Sequence, residues 1–63
     1  MNDFIINVGQ TSDNLQPAES ARTEQEANKR AEELTQDYKY VEVVYMPVDD
    51  IDTNEIVWSN HKK

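Results

Sequence analysis

The sequence contains no cysteine, a single glycine and two prolines in 63 residues, and its six Lys and Arg are outnumbered by thirteen Asp and Glu. Each shortage removes a class of explanation. Without cysteine there is neither a disulfide staple nor a thiolate zinc site, so the chain has to hold itself together through an apolar core. A domain of this size buries only about 60% of the surface its unfolded chain exposes, which leaves no material for a second core. With Gly9 as the sole glycine, neither a phosphate-cradling loop nor a dinucleotide fingerprint can be written. The net charge of −7 repels nucleic-acid phosphates and anionic membranes, which argues against both as direct ligands. Long apolar runs are missing too. Nothing approaches the ~20 residues of a membrane helix, and the first residues carry Asp3 where a signal peptide wants a basic residue. A single domain over 1–63 in the cytoplasm is the expectation.

What is present reads as alternating elements. Phe4, Ile6 and Val8 alternate with Ile5 and Asn7 before Gly9 and predict a strand. Residues 10–22 mix Thr, Ser, Asp, Asn, Gln and Pro with only Leu15, Ala18 and Ala21 as apolar material; no period fits, and a mobile loop is expected. Thr23-Glu24-Gln25-Glu26 matches the T-x-x-E capping box and predicts a helix start. Ala27, Ala31, Leu34 and Tyr38 then recur at helical spacing as a narrow apolar stripe, while Glu26 with Arg30 and Lys29 with Glu33 form i, i+4 pairs on the solvated side. Tyr40 to Met46 is rich in β-branched and aromatic residues and stops at Pro47, and Glu55 to Ser59 reads as a further strand. The expected fold is therefore α+β: a single two-layer domain in which a three-stranded sheet carries one helix on one face, in the order β-α-β-β. The strand beginning at Tyr40 is placed in the middle. The first strand then lies beside it, parallel through a right-handed helical crossover, or else antiparallel beside the last strand.

Strict alternation sorts Phe4, Ile6, Val8, Val41, Val43, Tyr45, Ile56 and Trp58 onto the helix side. The other side receives Ile5, Tyr40, Val44, Met46 and Val57 among Asn7, Glu42 and Glu55, which is more apolar than a solvated face requires. A partner protein, a second copy of the chain, or residues 10–22 folded back through Leu15 are the three coverings to weigh.

Groups that could carry chemistry are few. His61 is the only imidazole and stands beside Lys62 and Lys63; Ser59, near it in sequence, has neither an identified acid nor a glycine-rich oxyanion turn. Asp50-Ile51-Asp52-Thr53-Asn54 opens like a calcium loop, but Glu55 stands where that loop needs glycine and His61 where it needs a bidentate Glu. No catalytic residue, metal or cofactor is expected, and the protein is read as a non-enzyme. The more informative feature is charge placement. Between Tyr40 and His61 lie Glu42, Asp49, Asp50, Asp52 and Glu55 without one Lys or Arg. Where that stretch is extended, residues two apart stand ~7 Å from one another, on the scale of successive phosphates in a nucleic-acid strand. These carboxylates are the candidate partner-binding set, with a basic nucleic-acid-binding cleft as the complementary surface.

A short, cysteine-free, acidic strand–helix–hairpin chain without a catalytic set, from Asp3 to Ser59, resembles the small inhibitors that bacteriophages encode against host enzymes. These include anti-CRISPR proteins, antirestriction DNA mimics, uracil-DNA glycosylase inhibitors and a phage inhibitor of bacterial RNA polymerase. The resemblance is one of size, charge and layout, and it carries over no individual residue. It implies a binder that works by occlusion in the host cytoplasm, with a CRISPR effector as one candidate target. The competing expectation is a homodimeric structural or regulatory module joined through the second sheet face.

Overall fold

In a computed structural model, which describes residues 2–11, 13–47, 49, 50, 52 and 54–60, the chain forms β1 (Phe4–Gly9), β2 (Gln16–Ala21), α1 (Glu24–Leu34), β3 (Tyr40–Tyr45) and β4 (Glu55–Ser59). The sheet has four strands in the order β2-β1-β3-β4, and every neighbouring pair is antiparallel. The three-stranded expectation is thus corrected by β2, which lies within the segment read as a mobile loop. The polar composition of β2 suits its position. As an edge strand it tolerates Pro17, because half of the backbone N–H groups of such a strand face away from the ladder. A bulge also breaks its alternation, because Ile6 pairs with Glu19 and Asn7 with Pro17, leaving Ala18 as the extra residue.

β2 also corrects the parallel crossover. By running back along β1 it brings Ala21 opposite Phe4, so the helix starts at that end and delivers Tyr40 to Gly9 at the other. β3 then runs against β1. It does occupy the interior of the sheet, between β1 and β4.

Thr23 caps α1 as its spacing predicts: the Glu26 backbone N–H donates to Thr23 Oγ1 at 3.2 Å. Ala27, Ala31 and Leu34 are buried against Ile6, Val8, Val41 and Val43, with Phe4, Ala21, Tyr38, Val57 and Trp58 around them. Two helix alanines with no exposed surface let the helix backbone lie close to the sheet. Asn60 closes the β3–β4 ladder. Its Oδ1 accepts from the Val41 N–H at 2.8 Å and its Nδ2 donates to the Lys39 carbonyl at 3.2 Å.

A second bulge overturns the side assignment of two residues. Val43 pairs with Trp58 but Val44 with Ile56, so Val57 is the extra residue and strict alternation fails there. Val57 joins Trp58 against the core, while Ile56, expected inside, stands on the outer face at 59% exposure.

The helix charges are paired differently from the i, i+4 expectation. Arg30 Nε donates to both Glu19 carboxylate oxygens at 2.8 and 2.9 Å, and its Nη1 donates to Glu33 Oε1 at 2.8 Å. Glu19 points to the helix side of an edge strand, and the bidentate guanidinium contact is what makes that position acceptable. The hydrogen bonds from Arg30 lower the Glu19 carboxyl below its ordinary pKa; partial burial opposes the shift and the Arg30 charge reinforces it. A depressed carboxyl contributes stability that is complete above its unfolded pKa and disappears as pH falls through the depressed value. Glu19→Gln is therefore expected to give a shallower loss of stability between neutral and strongly acidic pH, measured by denaturant unfolding at a series of pH values. Superimposable acid limbs would remove the contact from the folding balance.

Candidate functional site

The acidic residues gather where β3 leaves the sheet and β4 re-enters it, with Tyr45 opposite Glu55. The N–H of Met46 donates to the Asp3 carbonyl at 2.7 Å, tying the exit of β3 to the entry of β1, and the N–H of Asp50 donates to the Pro47 carbonyl at 3.2 Å. Asp49, Asp50, Asp52 and Glu55 are all exposed. Antiparallel pairing brings two further carboxylates to this end. Asp3 precedes β1 and Glu24 opens the helix, and with Glu55 they rim a shallow concavity of about 470 Å³ floored by Phe4, Tyr45 and Val57. The Phe4 and Tyr45 rings lie 5.1 Å apart at 40°. Only the strand order brings these residues together, so no local spacing could have revealed them. Arg22, next after β2, is exposed at the same end.

Glu42 does not join this group. It lies about 10 Å back along β3, on the outer face, half-buried, where the Asn7 side-chain amide donates to its Oε1 at 3.4 Å.

The apolar set on the outer face is also redistributed. Ile5 pairs with Val44, and Val44 with Ile56; Val44 is 4% exposed, although among the described residues no helix lies on this side of the sheet. Tyr40 is half-buried on the same side and Met46, just past the strand, is 36% exposed. Val57 leaves this face through the bulge and Ile56 replaces it. Gln16–Ala21 extend the sheet sideways as β2, and of the residues before it Leu15 reaches the Gly9 end of this face, where its Cδ2 stands 2.9 Å from the place a Cβ on Gly9 would take.

Among the described residues no group of three or more His, Cys, Asp or Glu is placed to hold a metal ion. Ile51 and Thr53 of the calcium-loop-like run, and His61, lie outside the described residues. No described helix is long and apolar enough to cross a membrane. Another concavity of about 400 Å³, at the opposite end between Tyr38 and the β1–β2 turn, is lined by no carboxylate, Lys or Arg. Searches against family models, curated proteins and solved structures find no match to this chain.

Proposed function

We propose that this protein is a non-catalytic inhibitor that docks its acidic hairpin end on the basic cleft of a nucleic-acid-handling host protein, a CRISPR effector among the candidates, and blocks it by occlusion. The observation that carries the reading is the exposure of Asp49, Asp50, Asp52 and Glu55 on a stretch without a cation, with Glu55 beside Asp3 and Glu24. Like charges at this density repel one another in the free protein, and approaching Lys or Arg relieve that repulsion. A cleft built for phosphates supplies them.

The test is the double variant Asp50→Asn/Asp52→Asn against the partner retained from bacterial lysate on the immobilised protein. Each exposed charge contact is worth about 0.2–1 kcal/mol, so binding is expected to weaken roughly two- to thirtyfold. Its salt dependence should flatten, and duplex DNA should compete with the unmodified protein for the cleft. Folding stability is expected to hold or rise slightly. Unaltered affinity at both low and high salt would reduce the acidic loop to a solubility feature.

The exposure of Ile56 and Met46 beside Ile5 and Val44 favours one other reading, a homodimer through the outer face. Sedimentation equilibrium at two loading concentrations separates them: a constant monomer mass removes the dimer.

A further inference from the structure

The two edges of the sheet are protected differently. β2 carries Pro17, a bulge at Ala18, and Glu19 anchored to Arg30, three devices that discourage another strand from pairing with it. β4 reads Glu-Ile-Val-Trp-Ser, without Pro, Lys or Arg, and among the described residues it pairs only with β3. The helix packs chiefly on β1, β2 and β3, so β4 forms a ledge beyond it. A concavity of about 410 Å³ runs along this ledge against Ile56, Val57 and Trp58. It shares Val57 with the concavity lined by Asp3, Glu24 and Glu55 around the Phe4 and Tyr45 rings.

We propose that the open edge of β4 accepts an extended basic segment of a partner protein as a fifth strand, with a cationic side chain of that segment seated among Asp3, Glu24 and Glu55. This rests on the reading of the acidic end as a docking surface and adds to it the mode of contact and the chemistry of the occupant. Strand addition gives ladder partners to the outward-facing backbone groups of an edge strand, here over residues 55–58, and alternate side chains of the incoming segment set its specificity. Carboxylates around aromatic rings suit an arginine, through charge-assisted hydrogen bonds and attraction to the ring faces. A second copy of the chain is the poorer occupant, because each copy brings a net charge of −7. The bulge at Val57 restricts regular pairing to a short stretch, which fits a docked peptide better than a growing sheet.

The probe is a seven-residue peptide of alternating valine and threonine with arginine at both ends. Its controls are the same peptide with glutamate for arginine and one with proline at its centre. The expected result is slowed hydrogen exchange at amides within residues 55–58 and shifted ring signals of Phe4 and Tyr45 with the arginine peptide, and neither effect with the controls. Glu24→Gln/Glu55→Gln should weaken binding several-fold without altering the fold, since both side chains are exposed. Equal binding of the proline peptide would show attraction by charge alone and overturn the strand mode. So would shifts confined to residues 49–52, or exchange at β4 that slows with protein concentration in the absence of peptide. If the probe fails at β4 while Asp50→Asn/Asp52→Asn still weakens the captured partner, the edge proposal falls and the docking reading stands; a bound probe with an inert loop variant gives the reverse.

Discussion

Leu34→Ala is expected to destabilise the domain by about 2–5 kcal/mol, the range for removing a buried leucine side chain without full collapse of the space it leaves. Leu34 is 7% exposed and is the one large aliphatic on the inner face of α1, where Ala27 and Ala31 supply only methyl groups. Few atoms hold the helix to the sheet, so each is hard to replace. Domains are stable by only about 5–15 kcal/mol, and a small one lies toward the lower end, so the variant should be substantially unfolded near its working temperature. Urea denaturation followed by the fluorescence of Trp58 measures the loss. Leu34→Met, which conserves volume, should lose less than about 1.5 kcal/mol. An alanine variant with an unchanged midpoint would show that Leu34 contributes no burial that matters.

The other large effect is expected at Gly9, where alanine should cost about 1–3 kcal/mol by overpacking. The requirement is steric, since no residue with a positive φ occurs among those described. A Cβ at Gly9 would come within 2.5 Å of the Asn14 carbonyl oxygen and 2.9 Å of Leu15 Cδ2. The leucine methyl can rotate away, whereas the carbonyl moves only if the β1–β2 connection opens. Amide exchange in residues 16–21 should therefore accelerate more than exchange in β3. Equal acceleration in both would place the damage in the whole sheet, and none in either would show that the connection yields freely.

How legible these features were depends on whether the signal was local. The T-x-x-E box, the Ala27-Ala31-Leu34 stripe and the β-branched run from Tyr40 were all readable, because capping, helical period and strand propensity act over a few residues. β2 was not. It has one bulge, one proline and an inward glutamate that is acceptable only because Arg30, eleven residues on, reaches back to it. Without that reversal the first strand has two placements, parallel beside the strand that begins at Tyr40 or antiparallel beside the last, and neither is the one the fold adopts. The exchange of Ile56 and Val57 has the same character, since a single inserted residue inverts an alternation that is otherwise sound. The loop carboxylates were legible from their crowding in sequence, while Asp3 and Glu24 become neighbours of Glu55 only through the antiparallel order.

That order has a consequence for how the molecule assembles. The outer pairings, β1 with β2 and β3 with β4, each join neighbours in the chain and close short loops. The central pairing, which runs from Gly9 opposite Tyr40 to Phe4 opposite Tyr45, requires half or more of the chain to be gathered first, and its closure entropy is the larger. Two local hairpins linked by a helix can thus form and dissolve separately, and neither has the facing layer it needs to persist. The meeting of β1 with β3 is the step at which the fold becomes cooperative, so a fragment ending within α1 should show fleeting hairpin structure and no unfolding transition of its own.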